Sequence, residues 1–147
     1  MGILVLLAFT FSCSKKIIFT SEVNYLTSTG GTLTVRTTGI GSDLQSALSA
    51  AERQVFDVLF FRGLPGSEQK TALIGSNETE EMNMQKDYFN NFYSKNRYKT
   101  FIMSSIPKTG LINQKGKGGK VVVDVKINLM ALRKDLEESN IIRKFGY

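Results

Sequence analysis

The single cysteine of the chain, Cys13, is the residue whose type and position could do chemistry. It follows an apolar run from Ile3 to Phe11 and one small residue, Ser12. Two lysines, Lys15 and Lys16, come shortly after it. A thiol placed between a short apolar leader and a polar chain can accept a lipid. We therefore expect the sulfur of Cys13 to be acylated.

This spacing is typical of a bacterial lipoprotein signal, in which the leader is removed and the cysteine becomes the new amino terminus. Residues 1–12 would then be the signal peptide, and residues 13–30 a lipid-bearing tether. Each buried methylene contributes about 0.8 kcal/mol and one acyl chain binds only marginally, so a stable anchor needs two or more chains, such as palmitate. We expect the protein in the bacterial cell envelope, held by its lipid at the outer membrane.

Three other interpretations of this segment are open. A transmembrane helix needs about 20 apolar residues, and the run from Ile3 to Phe11 has about half that number. An ordinary secretory signal has a core of this length, but its removal would leave the thiol of Cys13 free. A buried structural thiol conflicts with a position outside any predicted folded segment. The match to a lipoprotein signal is loose, since Thr10 replaces the usual leucine and only Met1 and Gly2 precede the run.

The composition indicates one folded domain with a basic surface. The chain has 147 residues, of which 41% are apolar, and residues 31–147 are enough for a single core. The net charge is +6, which favours anionic partners such as lipid headgroups, cell-wall polymers or nucleic acid. With one cysteine, an intramolecular disulfide is excluded, so stability must come from packing.

The absence of histidine limits the chemistry that the chain can perform. It removes the commonest catalytic base and the commonest metal ligand together. It also excludes a Ser-His-Asp triad. We expect no enzymatic activity, no cofactor, no metal and no small-molecule substrate.

A basic, glycine-rich tip, Lys115-Gly-Lys-Gly-Gly-Lys120, lies between two segments with strand patterns. A phosphate loop would need a helix next, with a hydroxyl residue at the position of Val121. A hairpin turn fits better, and a basic finger that touches phosphates or lipid headgroups is a further interpretation. The candidate anion contacts are Lys115, Lys117, Lys120, Arg97 and Lys99.

An aromatic segment from Tyr88 to Phe101 is interleaved with basic residues. Such a pattern can bind single-stranded nucleic acid, but an envelope location makes that partner unexpected. The rings can instead pack over the predicted central helix, or their exposed part can form a protein-contact surface. The candidate protein contacts are Phe56, Phe60, Tyr88, Phe92 and Tyr93.

The elements that position these residues follow from hydrophobic periodicity. Alternation predicts a strand over Thr32–Thr37, and a helical stripe predicts a helix from Ser42, with a Ser42/Gln45 capping box, to about Arg62. The remaining predicted elements are a helix over Glu78–Lys95, strands over Arg97–Ile106, Gly110–Asn113 and Val121–Leu129, and a last helix capped by Asn128. The predicted fold is α+β, a two-layer sandwich with a central helix packed on a curved antiparallel sheet, in the order β-α-α-β-β-β-α.

Four segments carry a resemblance to known proteins. They are the strand from Gly31 to Val35, the alanine-rich helix from Ala47 to Phe61, the Tyr88-Phe89/Phe92-Tyr93 helix and the late strand Val-Val-Val-Asp-Val-Lys-Ile-Asn followed by Leu132-Arg133. Residues 31–147 thereby resemble small secreted lipoproteins of Bacteroidetes-type bacteria. More distantly, they resemble the lipoprotein family related to the amino-terminal domain of the flagellar assembly protein T. The resemblance implies a helix on a curved antiparallel sheet and a non-enzymatic envelope role, and it assigns no functional residue.

These observations lead to two functional hypotheses. The first is a lipid-anchored envelope protein that serves as a structural or adaptor part of a membrane complex and binds a protein partner. The second is a binding module for an anionic polymer, which would use the basic glycine-lysine hairpin.

Overall fold

The structure, a computed structural model, describes residues 22–116 and 118–144. The predicted signal peptide, Cys13, Lys117 and Phe145 lie outside these residues. The described elements are β1 (Asn24–Thr29), β2 (Thr32–Gly41), α1 (Leu44–Phe61), α2 (Glu78–Met84), α3 (Lys86–Phe89), a π-helical turn (Asn90–Ser94), a 3-10 turn (Arg97–Phe101), β3 (Ile102–Pro107), β4 (Ile112–Gln114), β5 (Gly118–Asn128) and α4 (Leu129–Glu138).

The five strands form one antiparallel sheet, which confirms the predicted α+β class. Its order is β1-β2-β5-β3, and β4 also pairs with β5. The two long central strands, β2 and β5, pair from Thr32↔Asn128 to Gly41↔Gly119. β5 is therefore the strand on which the rest of the sheet is assembled.

One face of the sheet forms the core together with α1. Alternate residues of β5, from Val121 to Ile127, are fully buried, as are Leu33 and Val35 of β2. β5 therefore alternates buried and outward residues, as a strand does when one of its faces packs on the core and the other faces solvent. The prediction of these core positions is confirmed.

Helix α1 approaches β2 closely at two glycines. A Cβ on Gly39 would lie 1.8 Å from the carbonyl oxygen of Ala47, and one on Gly41 would lie 2.3 Å from Oγ of Ser46. The predicted strand over Thr32–Thr37 is too short at its end, because Gly39-Ile40-Gly41 extend β2 instead of forming a turn before the helix. Glycine is required here since a side chain would displace the helix.

The start of α1 differs from the predicted capping box by one residue. The side chain of Asp43, and not that of Ser42, accepts a hydrogen bond of 2.8 Å from the backbone N–H of Ser46. The hydroxyl of Ser46 accepts one of 3.1 Å from the Asp43 N–H in return. At the other end, Gly63 follows the helix with a φ of +77°, a backbone conformation that favours glycine after a helix end.

The predicted helix over 78–95 is broken in the structure. It separates into α2, α3 and the π-helical turn, with a non-helical Gln85 between the first two. The predicted strand from Arg97 begins only at Ile102, because 97–101 form the 3-10 turn.

Both ends of the described chain differ in part from the expected pattern. β1 lies in the segment 13–30, which was expected to be only a tether, so that expectation is wrong for Asn24–Thr29. At the other end, the predicted cap of α4 is confirmed, since the Asn128 side chain accepts a bond of 2.9 Å from the Ala131 N–H. Ile141 and Ile142 pack, half-buried, against the core.

Candidate binding surface

The side of the sheet opposite the core is here called the open face. It consists of the outward residues of the strands, for example Thr34 and Arg36 on β2 and Asp124 and Lys126 on β5. None of the outward residues of β2 and β5 is buried, whereas their inward neighbours are. Among the described residues, the open face is therefore the broad part of the sheet that solvent reaches.

A charged cluster crosses the centre of this face. The guanidinium of Arg36 donates hydrogen bonds of 2.6 and 2.9 Å to the two carboxylate oxygens of Asp124. Lys108 Nζ lies 3.5 Å from the same carboxylate. The bond from Arg36 holds the pKa of Asp124 below its ordinary value, so this carboxylate stays charged.

Cations outnumber carboxylates on the open face. Asp124 is the one acidic residue within the five strands as the structure describes them. Around it lie Arg36, Lys120 and Lys126 on the strands and Lys108 directly after β3. Four cations against one carboxylate leave a net positive surface.

Exposed isoleucines lie among these cations. In one row across three strands, Lys120 of β5 pairs with Ile40 of β2 on one side and Ile112 of β4 on the other. Ile106 of β3 pairs with Asp124. The exposed fractions are 40% for Ile40 and 53% for both Ile106 and Ile112. The open face is thus both basic and partly apolar.

The predicted anion-contact residues do not come together. Lys120 lies on the open face, Lys115 is exposed in the hairpin turn beside it, and Lys117 lies outside the described residues. Arg97 and Lys99 lie at the other end of the sheet, where Ile102 pairs with Ile127. The seven residue-to-residue steps from Lys120 to Ile127 span about 23 Å. The structure therefore does not bring Arg97 and Lys99 together with the hairpin lysines, and their role as anion contacts stays a prediction.

Arg97 also has a partner within the protein. Its guanidinium donates two hydrogen bonds to Asp135 of α4, one of them 3.1 Å long. Tyr88 donates a third bond of 2.9 Å to the same carboxylate. These contacts tie the aromatic segment to α4, which is a structural role.

The predicted protein-contact residues divide into core and surface. Phe56, Phe60 and Phe92 are fully buried, so their assignment as partner contacts is wrong. The ring centroid of Phe92 lies 5.2 Å from that of Phe56 and 5.1 Å from that of Phe60. Phenyl rings gain more from this mutual packing than from exposure to water. Tyr88 and Tyr93 are partly buried and pack against the core.

The two tyrosines use their hydroxyls within the fold. The Tyr93 hydroxyl donates to Asp57, and the Tyr88 hydroxyl donates to Asp135. Burial and the adjacent carboxylate raise the pKa of each phenol above its ordinary value. Burial likewise raises the pKa of Asp57, which the bond from Tyr93 partly offsets. These groups join the aromatic segment to α1 and α4.

A groove of about 450 Å³ lies between the loop 68–74 and the end of α4. Leu73, Ile74, Ile141 and Ile142 supply its apolar lining. Arg133 stands at its edge and donates a hydrogen bond to the buried Gln69. The groove is therefore formed by the loop docking on α4.

Sequence reasoning did not identify Arg36, Lys108, Ile40, Ile106 or Ile112 as members of one surface. The outward positions of β5 were visible as Asp124, Lys126 and Asn128. Knowledge of the strand register is needed to add the neighbours from β2, β3 and β4. The register is a tertiary property.

Within residues 22–116 and 118–144, no group of three or more acidic, histidine or cysteine side chains is arranged to hold a metal ion. No helix in the same residues is long and apolar enough to cross a membrane. Comparison with known proteins finds no matching family model, no matching curated protein and no matching solved structure. The resemblance to envelope lipoproteins therefore stays a prediction.

Proposed function

We propose that the protein is a lipid-anchored component of the bacterial cell envelope with a non-catalytic, structural or adaptor role. Cys13 is the proposed lipid attachment site, residues 1–12 the signal peptide and the outer membrane the site of anchoring. The observation that carries the binding role is the open face, where cations and exposed isoleucines surround a single, already paired carboxylate. A broad surface of this composition suits recognition better than turnover of a small substrate.

The adaptor role needs a second surface, and we place it on the helical side of the domain. There the proposed architecture is a two-layer sandwich, with α1 as the central helix on a curved sheet. Helix α2 buries none of its residues, and Met84 at its end is 68% exposed. Tyr88 and Tyr93, which are only partly buried, follow a few residues further on. A protein partner would contact α2 and these tyrosines, with the open face directed elsewhere.

Cell fractionation with partner capture tests the anchored adaptor. The wild-type chain, the variant Cys13→Ala and the matched control Ser14→Ala are expressed in a bacterium with a lipoprotein pathway. We expect wild type and Ser14→Ala in the membrane fraction and Cys13→Ala in the soluble fraction. Crosslinking from the membrane should recover one defined partner, and Met84→Glu should reduce its yield. Equal membrane association of all three proteins would overturn the anchor, and no partner, or one insensitive to Met84→Glu, would overturn the adaptor role.

A second candidate function is binding of an anionic polymer through the basic hairpin. One observation favours it, because Lys120 at the base of the hairpin lies on the open face with three further cations. Its contact set would be Lys115, Lys117 and Lys120 together with Arg36, Lys108 and Lys126. Binding would weaken steeply with salt and with combined Lys117→Ala and Lys120→Ala, and no protein partner would copurify.

A further inference from the structure

We propose that the open face lies against an anionic lipid bilayer, so that the sheet faces the membrane and the helices face away from it. The inference rests on the proposed function only for the anchor that brings the domain to the membrane. It adds an orientation and a named occupant for the open face.

The charge of the face complements an anionic surface. Asp124 already receives two hydrogen bonds from Arg36 and an ion pair from Lys108. Its negative charge is thus compensated within the protein. The excess charge resides on Lys120, Lys126 and the partly shared Arg36 and Lys108. Each cation near an anionic membrane strengthens binding by about fivefold.

The exposed isoleucines distinguish a bilayer from a purely charged ligand. Ile40, Ile106 and Ile112 are 40 to 53% exposed and lie in the same rows as Lys120 and Asp124. Apolar side chains between cations are the composition of surfaces that settle into the headgroup region, where the cations meet phosphates and the apolar groups leave water. A water-soluble polyanion would leave these isoleucines exposed.

The position of the aromatic rings argues against single-stranded nucleic acid. That ligand is normally bound by aromatic platforms on which its bases stack. The phenyl rings of Phe56, Phe60 and Phe92 lie in the core on the opposite side of the sheet. No aromatic residue occupies an outward position of β2 or β5. The open face therefore has phosphate contacts without stacking platforms.

The chain between the proposed anchor and the sheet permits this contact. Eleven residue-to-residue steps lead from Cys13 to Asn24, the first residue of β1. Such a length spans at most about 36–40 Å. β1 is an edge strand of the same sheet, next to β2, so a tether from β1 brings the open face within reach of the bilayer.

Vesicle binding by the full chain carrying Cys13→Ala tests the proposal without the lipid. The probes are vesicles of phosphatidylcholine alone and vesicles of phosphatidylcholine and phosphatidylglycerol in equal parts, compared by co-sedimentation. Because the leader is common to every variant, the readout is the ratio of affinities for the two vesicle types. We expect preference for the anionic vesicles, and loss of that preference when salt is raised from about 0.1 M to about 1 M.

Matched substitutions then locate the contact. Combined Lys120→Ala and Lys126→Ala should weaken binding to anionic vesicles about 30-fold. Combined Lys86→Ala and Lys95→Ala removes the same charge from exposed positions on the helical side and should leave this affinity within twofold of the parent. Combined Ile106→Ser and Ile112→Ser should weaken it severalfold at unchanged charge. Unchanged circular dichroism and unfolding midpoints show that each variant is folded.

Several outcomes would overturn the proposal. Equal binding to both vesicle types, or an equal loss from the two lysine pairs, would exclude the open face as the contact. Full competition by soluble polyphosphate, with no effect of the isoleucine substitutions, would assign the face to an anionic polymer instead. The vesicle assay uses a protein without the lipid, so a negative result would not bear on lipid attachment at Cys13. Likewise, absence of lipid on Cys13 in cells would not change what the vesicle assay says about the open face.

Discussion

Arg36 and Asp124 lie directly opposite each other on β2 and β5, and the guanidinium donates one hydrogen bond to each carboxylate oxygen. The pair spans the two longest strands at the middle of the open face. Since Asp124 is the one carboxylate within the described strands and is shared by Arg36 and Lys108, Lys120 and Lys126 have no acidic residue on the strands to oppose them. The pair therefore shapes both the stability of the sheet and the charge of its surface.

The Arg36–Asp124 pair predicts a stability change in acid. The pKa of Asp124 is lowered in the folded protein, so its contribution is complete above the ordinary value of 3.8 and is lost as the pH falls through the lower folded value. Asp124→Asn should destabilise the protein at pH 7 and should destabilise it less near pH 2. Urea unfolding at both pH values measures this difference. An equal loss of unfolding free energy in Asp124→Asn at both pH values would contradict the coupling between the ionisation of Asp124 and stability.

The buried phenols predict a stability change in alkali. Tyr88 and Tyr93 have pKa values raised above the ordinary value of 10.0, so the unfolded chain ionises first. Their contribution is therefore present below pH 10 and is lost as the pH rises beyond it. Combined Tyr88→Phe and Tyr93→Phe should flatten the fall in unfolding free energy between pH 9 and about 12. An equally steep fall in the variant would show that other groups cause it.

Substitution of Phe92 tests whether its ring stabilises the core or contacts a partner. It is fully buried against Phe56 and Phe60, so Phe92→Ala should lower the free energy of unfolding by about 3–5 kcal/mol. The control Met84→Ala, at a position 68% exposed, should change it by less than about 0.5 kcal/mol. Chemical denaturation measures both. A small loss for Phe92→Ala would mean that the ring is outside the core.

Two glycines test the close approach of β2 and α1. Gly39→Ala places a Cβ 1.8 Å from the carbonyl oxygen of Ala47 and must displace the backbone, at a cost of about 3 kcal/mol or more. The control is Gly110→Ala, where a Cβ meets nothing within 4 Å, and the change should lie within about 1 kcal/mol of neutral. Unfolding midpoints measure both. Equal effects would contradict the close approach.

Periodic segments were the predictable part of the fold. The buried alternation of β5 and the helical stripe of α1 are local patterns, and both predicted the correct element. β1 was missed because Asn24–Thr29 is mostly polar and lies at the sheet edge, where pairing with β2 rather than burial makes it a strand. The break at Gln85 was missed because no glycine or proline marks it in the sequence.

The candidate surface was less predictable than the fold. The hairpin lysines could be recognised from the sequence as a basic cluster. Arg97 and Lys99 were grouped with them only because they are also basic. The structure places Arg97 and Lys99 about 23 Å from the hairpin along the sheet. The aromatic rings were visible in the sequence, whereas their burial depends on α1 beneath them. Arg36 and Lys108 could be assigned to this surface only once the strand register was known.

The mass of the protein isolated from bacterial membranes tests the proposed anchor most directly. The account predicts a chain that begins at Cys13, with a diacylglyceryl group on its sulfur, and loss of that lipid in Cys13→Ala. Recovery of the chain with residues 1–12 intact, or with an unmodified thiol at Cys13, would contradict it.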